Sequence, residues 1–451
     1  MNTHPLENPF AAAFRKGSLL LALLVAASLS IFVSPLPILG AMLAIAALWM
    51  IFRFPTSVLG AVLAFSSIDY MAIEVGKLFA LPSMSVVSAC TKEGPLLLLL
   101  LVLWRRNGLK LVTPDWFVLG LFALAVFRTC FDGSLLNLVT DFQFLIPYAV
   151  GRVAVLSSRQ ECQWARRAVW IVGVLAVLGM IEVFVLGSGP RTLLYLATEG
   201  STEGGRLTAS FFGAGFAGMR EASTMVGPPN FGALCMIAMI LWWVYSRNPI
   251  PAGMIAAGLI CSVTRSAWIG SAVAICLLGI RMNQMKRLLV YFVLAIVLFI
   301  AAIPTLGLRD YLFLTKTGQD PSAESHRDSI LSGLNFIAGH PFGGGNTTVG
   351  PRPAEKNGNA LLVETTDLAF GAEYGVLALV CFAGFMLTAL RLAWRQHSQL
   401  GYATVGILVG LGLAMSVLLL HDDRRLACWE WFPVGLAVRS ATNGSGLGSE
   451  K

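Results

Sequence analysis

Long apolar segments alternate with short polar ones from one end of this chain to the other. They lie near residues 17–35, 37–52, 55–75, 82–104, 114–130, 136–156, 166–187, 229–246, 249–263, 266–281, 287–306, 369–391 and 400–420. Each is close to the length of about 20 apolar residues that a helix needs to cross a bilayer. The pattern predicts an all-α polytopic membrane protein with about 12–14 transmembrane helices and a large outer loop that carries short helices. A shorter apolar piece, 431–438, is too short to cross, so re-entry into the membrane or packing on the bundle is expected.

The composition agrees with this class. Apolar residues make up 56% of the 451 positions and charged residues only 12%, whereas soluble domains contain about 25% charged residues. The net charge of +8 does not indicate nucleic-acid binding, because Lys and Arg concentrate at the cytoplasmic ends of membrane helices. The eight cysteines are scattered and form no CxxC pair. We therefore expect no metal site, no disulfide framework and no cofactor.

Basic residues occupy every second connection between the apolar segments. They lie in 14–17, at Arg53, and in 105–110, 157–167, 246–249, 281–287 and 391–397. The positive-inside rule places these sites and the N-terminus in the cytoplasm. Two long loops, 188–228 and 307–368, then fall on the periplasmic side. The predicted units are 1–187 (N-terminal helices), 188–228 (first outer loop), 229–306 (central helices), 307–368 (large periplasmic loop) and 369–451 (C-terminal helices and tail).

Residues with useful chemistry collect on this outer face. They are Arg206, Arg220, Arg265, Arg327, Glu364 and Asp367. The planar fork of an arginine stays charged and binds two phosphate oxygens at once, so arginines at an outer membrane rim suit the diphosphate of a lipid. A carboxylate nearby can take the proton from an attacking sugar hydroxyl. The Gly-rich stretch 343–346 is expected to let backbone amides approach an anion. This chemistry requires neither a metal nor a nucleotide.

Simpler structural roles are open for the same residues. Arg265 can be an interfacial anchor, and Asp367 can cap the helix that follows it. Arg327 begins a segment with apolar residues at Ile330, Leu331, Leu334 and Ile337, a helical spacing that predicts an amphipathic periplasmic helix. His326 is interpreted as structural or solvated, and His340 before Pro341 as the turn that ends this helix.

Buried charges in the first half of the chain favour a different class of function. Asp69, Glu74, Lys92 and Glu93 lie in or beside apolar segments. Charges in such positions mark ion or proton pathways in transporters, although they can also neutralise each other in pairs. A polysaccharide or lipid transporter or flippase is therefore an alternative.

Three stretches in order resemble the O-antigen ligase and polymerase superfamily. They are "MREASTMVGPPNFGALCMIAMILWW" (219–243), "CSVTRSAWIGSAVAICLLGI" (261–280), and "HRDSILSGLNFIAGHPFGGGN" (326–346) followed by "TTDLAFGAEYGVLAL" (365–379). The resemblance covers roughly residues 200 to 390. It implies a membrane-embedded inverting glycosyltransferase with an undecaprenyl-diphosphate-linked glycan as donor. Carried over by position, Arg220 and Arg265 would hold the diphosphate, and Arg327 would help hold or orient the donor. Arg206, which lies in the first outer loop, is a further candidate for binding the diphosphate.

One departure from the family pattern affects the prediction. Ligases of the family usually show a His-Asn pair eight or nine residues before the Glu of a Glu-x-Gly motif. In this chain that Glu is Glu373. The corresponding region reads "ETTD" (364–367) and contains no histidine. Asp367 or Glu364 is then the acid that could act as base. This favours a polymerase of O-antigen or exopolysaccharide repeat units over a ligase that transfers glycan to a lipid or protein acceptor. The expected location is the bacterial inner membrane, with lipid-linked glycan, membrane lipid and a chain-length regulator as partners.

Overall fold

The computed structural model describes residues 37–69, 84–187, 222–225, 227–305, 321–349, 363–420 and 425–444, together with a few isolated positions. In chain order its helices are α1 (Pro37–Arg53), α2 (Pro55–Ser66), α3 (Met84–Asn107), α4 (Thr113–Asp132), α5 (Leu135–Asp141), α6 (Leu145–Val153), α7 (Ser158–Ile181), α8 (Pro228–Tyr245), α9 (Pro249–Cys261), α10 (Arg265–Arg281), α11 (Met285–Thr305), α12 (Pro321–Gly339), α13 (Thr366–Tyr374), α14 (Val376–Arg395), α15 (Gln399–Met415) and α16 (Leu426–Gly444). A single π-helical turn, Glu182–Leu186, extends α7.

Several helices are long and apolar enough to cross a membrane. Among the described residues these are Thr113–Phe131, Ser158–Leu186, Pro228–Tyr245 and Val376–Arg395, and the bent pair Ile45–Arg53 and Ser57–Ser66 adds a fifth if it forms one span. The all-α membrane class is thus confirmed, whereas the total of about 12–14 spans remains a prediction.

Helix α8 forms the centre of the bundle. Its apolar window is 83% buried, whereas the windows of α4, α7 and α14 are 28–33% buried. Helices α7, α9, α10, α15 and α16 all pack against α8. Because α8 is apolar on every side, it can be enclosed by other helices, while the outer helices leave apolar side chains for lipid.

Two predicted continuous spans are interrupted. The span predicted at 136–156 is split into α5 and α6 around residues 142–144, and the span predicted at 369–391 is split at Gly375. Gly375 has φ 92° and ψ 173°, a backbone conformation that is essentially restricted to glycine. The break ends α13 at Tyr374 and leaves it as a short helix before α14.

The apolar piece 431–438 lies within a longer helix, which is not among the described helices that are long and apolar enough to cross a membrane. Helix α16 runs from Leu426 to Gly444, and Trp429, Trp431 and Phe432 are buried. It crosses α6 closely: a Cβ on Gly151 would lie 2.8 Å from the Leu436 nitrogen, and a Cβ on Gly435 would overlap the Tyr148 carbonyl. The alternative that this segment packs on the bundle is confirmed.

Arginines gather at one end of the bundle, which we call the basic end. Helices finish there with carbonyl groups that have no partner within the helix, and guanidinium groups donate to them. Arg287 donates to the carbonyls of Trp243 and Ser246, Arg166 to Tyr245, Arg281 to Gln396, Arg106 to Phe52, and Arg439 to Gly108 and Arg152. Except for Arg439, which reaches one of them at Gly108, these arginines belong to the predicted cytoplasmic connections.

Candidate functional site at the end opposite the basic end

Helices α10 and α15 run antiparallel and bring their outer ends together. A Cβ on Gly270 would lie 2.9 Å from the Gly410 carbonyl, and one on Gly406 would lie 2.8 Å from Leu278. Residue numbers therefore rise along α10 as they fall along α15. Since Arg281 at the last turn of α10 is at the basic end, Arg265 at the first turn is at the opposite end, together with the C-terminal end of α15.

The connection after α15 fastens the start of α13 at the same end. The Thr366 hydroxyl donates to the Leu418 carbonyl at 3.0 Å and accepts from the Leu420 amide at 3.1 Å. Thr366 is fully buried, and Asp367 follows it in the first turn of α13. The structure thus brings Arg265 and Asp367, which are far apart in the sequence, to one end of the bundle.

The turn that carries Arg265 is held tightly. Val263 has φ 49°, which is rare for a β-branched residue because Cβ crowds the backbone. The Thr264 hydroxyl donates to the Pro228 carbonyl at 3.2 Å, and a Cβ on Gly232 would lie 2.9 Å from the Ser262 hydroxyl oxygen. Strained backbone persists only where its surroundings enforce it. Contacts with the start of α8 therefore fix the position of the half-buried Arg265, the first residue of α10.

Helix α12 packs on α13 through a small apolar core separate from the main one. Its buried members are Ile337, Val349, Val363, Ala369 and Ala372, and Leu419 packs against them. The predicted amphipathic helix is therefore present, although its buried stripe differs from the prediction. Leu331 and Leu334 are 47% and 48% exposed, because Gly333 and Ile337 form the side that contacts α13 and the residues before it.

Two candidate residues are in contact where α12 lies beside the segment before α13, and a third is next to them in the sequence of α12. The Glu364 amide donates to the Ser329 hydroxyl at 2.8 Å. His326 Nδ1 lies 2.5 Å from Glu364 Oε2, and Arg327 is exposed on the next position of α12. Sequence reasoning interpreted His326 as structural or solvated and did not anticipate this contact, since nothing local in either segment signals the other.

The Gly-rich stretch 343–346 does not present its amides to an anion, so that prediction was wrong. The amide of Gly343 donates to the His340 carbonyl at 2.8 Å, that of Gly344 to Ala372 at 2.8 Å and that of Gly345 to Glu373 at 2.9 Å. The stretch thus satisfies carbonyls at the end of α13. Asn346 adds bonds to Ser134 and Asn137 beside α5, so the stretch joins two broken spans. His340 and Pro341 end α12, as predicted.

Two predicted diphosphate ligands, Arg206 and Arg220, lie outside the described residues. The short piece after Arg220 is described: Ser223 donates to the Leu175 carbonyl at 2.6 Å and Thr224 to the Ser67 carbonyl at 2.5 Å. This piece is therefore attached to the ends of α7 and α2.

The buried charges of the first half form an ion cluster near Ser67. Lys92 Nζ lies 3.5 Å from Asp69 and 3.0 Å from Glu93, and Arg425 Nε lies 3.6 Å from Asp69. Asp69 and Lys92 are at most 1% exposed. The expectation that these charges pair is confirmed for the three described residues, and Arg425 is a partner that sequence reasoning missed. Glu74 lies outside the described residues.

Burial raises the pKa of the Asp367 carboxyl above its ordinary value, although a hydrogen bond from its own backbone opposes the shift. Desolvation disfavours the charged form of an acid. At neutral pH the folded protein therefore holds this carboxylate at a cost that the unfolded chain does not bear. A carboxylate with a raised pKa is a stronger base, and so better suited to accepting a proton, than an ordinary surface aspartate.

Replacing Asp367 with asparagine should therefore stabilise the protein at high pH. A group with a raised folded pKa supports folding below its unfolded pKa and loses that contribution as the pH rises through the folded value. The apparent unfolding temperature of detergent-solubilised Asp367→Asn should match wild type at about pH 4 and exceed it at about pH 8. Asp328→Asn, an exposed change on α12, is the control. A gap that stays constant with pH would contradict the burial argument.

Together, the fold and this end of the bundle define a class: a multi-pass helical membrane protein with arginine, histidine and carboxylate side chains at the end opposite its basic connections. Residues 250–389 match the protein-family model Wzy_C, described as O-antigen ligase. This match supports the resemblance to the O-antigen ligase and polymerase superfamily and a function of the ligase or polymerase type.

No curated protein matches the chain. The matched region contains Arg265, Arg327, Glu364 and Asp367 but ends before α15. The family implies a glycan-transferring enzyme that uses a lipid-linked glycan within the membrane.

Proposed function

We propose that this protein polymerises undecaprenyl-diphosphate-linked repeat units of O-antigen or exopolysaccharide at the periplasmic face of a bacterial inner membrane. The observation that carries the proposal is the position of Arg265, Arg327 and the Glu364–Asp367 segment at the end opposite the basic end. Under the positive-inside rule the basic end faces the cytoplasm. The site then faces the periplasm, where a lipid diphosphate lies at the membrane rim with its tail in the bilayer.

The proposed reaction is a single displacement at the anomeric carbon of the donor. The growing chain on its lipid diphosphate is the donor, and a sugar hydroxyl of a new lipid-linked unit is the acceptor. The hydroxyl oxygen forms the new glycosidic bond while the bond to the diphosphate breaks, which inverts the anomeric configuration. Arg265 and Arg327, with Arg206 and Arg220 from the first outer loop, stabilise the leaving diphosphate. A carboxylate of the 364–367 segment accepts the proton.

The absence of a His-Asn pair before Glu373 favours polymerisation over ligation. A ligase that moves glycan onto a lipid or protein acceptor remains the alternative within the class. A chain-length regulator is the expected protein partner of a polymerase. The transporter alternative is disfavoured, because Lys92 pairs with Asp69 and Glu93, and paired charges neutralise each other instead of lining a path.

A double substitution, Glu364→Gln with Asp367→Asn, tests the proposed chemistry. It removes both candidate carboxylates while keeping side-chain size, so cells that lack the native gene and express this variant should show no glycan beyond single repeat units. General-base catalysis contributes about 100-fold to 10,000-fold in rate, enough to abolish a ladder of chains. Surface glycan resolved by gel electrophoresis is the measurement.

Glu324→Gln on the exposed face of α12 is the matched control and should give a wild-type ladder. Immunoblotting of the membrane fraction checks that each variant is inserted in normal amounts. A normal ladder from the double variant would remove the carboxylates from the mechanism.

A further inference from the structure

A histidine and a carboxylate form a close pair beside Arg327. His326 Nδ1 and Glu364 Oε2 are 2.5 Å apart, and the two side chains are 32% and 30% exposed. Both contacting atoms are themselves shielded from solvent. Nδ1 therefore does not contribute to the exposed part of the His326 side chain.

The pair is fixed by its backbone as well as by its side chains. Ser329, one turn along α12 from His326, is 5% exposed and accepts from the Glu364 amide at 2.8 Å. Two residues later, Thr366 is bonded to the connection after α15. Glu364 is thus held between α12 and the bundle, and its carboxylate reaches the ring from a fixed position. Such support keeps a catalytic geometry ready before substrate binds.

We propose that His326 is the general base of the transfer and that Glu364 is its positioning residue. This inference rests on the proposed function but replaces its proton acceptor: His326 takes the proton, and a carboxylate of the 364–367 segment positions it. The Glu364 carboxylate beside Nδ1 favours the tautomer that carries its proton on Nδ1, which leaves Nε2 unprotonated. Nε2 takes the proton of the acceptor hydroxyl as its oxygen bonds to the anomeric carbon, and the polyprenyl diphosphate leaves with the electron pair of the broken bond. The imidazolium is stabilised by Glu364 and later releases its proton to water.

This assignment accounts for the contact better than direct catalysis by Glu364. Glu364 Oε2 is shielded from solvent where it meets the imidazole, although the two side chains are exposed to a similar extent. An imidazole is also suited to accepting protons near neutral pH, where a free carboxylate is a weak base. Arg327, the next residue on α12, is exposed and available to the diphosphate of the same donor.

Among the described residues, α12 and the segment from Glu364 through α13 that packs against it carry several ionisable groups besides His326. They are Glu324, Arg327, Asp328 and His340 on α12, Glu364 immediately before α13, and Asp367, Glu373 and Tyr374 on α13. Of these, Glu364 is in contact with the ring.

The test uses membrane vesicles from a strain that lacks the native gene and expresses each full-length variant. The probe is the lipid-linked repeat unit extracted from the same deletion strain, and the readout is the rate of chain elongation between about pH 5 and about pH 9. Wild type should show a rate that rises with pH as the base loses its proton. His326→Gln should lower the rate about 100-fold or more and lose this rise. Glu364→Gln should lower kcat with little change in KM, and Glu364→Asp should restore part of the loss.

His340→Gln is the matched control, because His340 lies on the same helix but stacks on Phe336 with ring centroids 4.2 Å apart. It should keep the wild-type rate and pH profile. If His326→Gln retains the wild-type profile, or if Asp367→Asn alone removes the rise with pH, His326 is not the base. If His326→Gln is poorly inserted, the Glu364 variants decide the question. A lower kcat at nearly unchanged KM supports the proposal, whereas an unchanged kcat contradicts it. Failure of wild type itself to elongate the probe would instead refute the proposed function.

Discussion

Arg265→Ala should abolish long glycan chains in cells while leaving membrane insertion unchanged. The guanidinium lies at the first turn of α10, at the end that also carries Asp367, and in the proposed reaction it stabilises charge that develops on the leaving diphosphate. Removal of one such group from a preorganised site costs about 100-fold to 1,000-fold in rate. Arg265→Lys should recover only part of the activity, because an ammonium cannot bind two phosphate oxygens as a planar fork does.

Arg395→Ala is the control for this prediction. Arg395 is exposed at the last turn of α14, near the basic end, and its replacement should leave the ladder of chain lengths intact. Gel analysis of surface glycan and immunoblotting of the membrane fraction measure the two effects. A wild-type ladder from Arg265→Ala at normal protein levels would exclude this arginine from the site.

Gly375→Ala should destabilise the protein and also abolish elongation. The Gly375 backbone occupies a region that costs other residues about 1–3 kcal/mol. A Cβ there would also lie 2.6 Å from the Pro341 carbonyl oxygen, which accepts the Val376 amide at 2.9 Å. The junction between α13 and α14 would have to open, and α13 with Asp367 would shift.

Gly339→Ala separates this effect from that of any glycine substitution nearby. Gly339 ends α12, and a Cβ there would meet nothing within 4 Å. The apparent unfolding temperature of the Gly339→Ala protein should therefore not fall. Thermal unfolding in detergent, together with the ladder of chain lengths, is the measurement. An unchanged unfolding temperature for Gly375→Ala would show that the junction tolerates a side chain and would undermine the role assigned to this break.

Hydropathy located the helices well where one helix crosses the bundle without interruption. The span predicted at 229–246 is observed as Pro228–Tyr245, and that at 114–130 as Thr113–Asp132. The breaks near residues 142–144 and at Gly375 were missed, because transfer free energy depends on apolar content and not on backbone geometry. The carbonyls and amides that such breaks release find partners from other segments, as at Pro341 and Val376, and those partners cannot be recognised in the local sequence.

For the candidate site, the sequence predicted which end of the bundle the residues occupy but not which side chains are in contact. The alternation of basic connections predicted that Arg265 and Asp367 share one end, and the packing of α10, α15 and α13 places them so. The contact between His326 and Glu364 depends on how α12 folds back onto α13, which has no local signal. The Gly-rich stretch misled for the opposite reason: glycine permits an amide to approach an anion or a carbonyl equally well, and here the carbonyls of α13 occupy the amides.

Release of undecaprenyl diphosphate by the purified protein tests the central claim most directly. Wild-type protein in lipid vesicles, supplied only with the lipid-linked unit extracted from the deletion strain, should release undecaprenyl diphosphate and lengthen the glycan in equal amounts. Arg265→Ala in matched vesicles should release about 100-fold less. Release at the same rate by both proteins, or no release by wild type while the lipid-linked unit crosses the bilayer, would contradict a glycosyl transfer at the end of the bundle opposite the basic end.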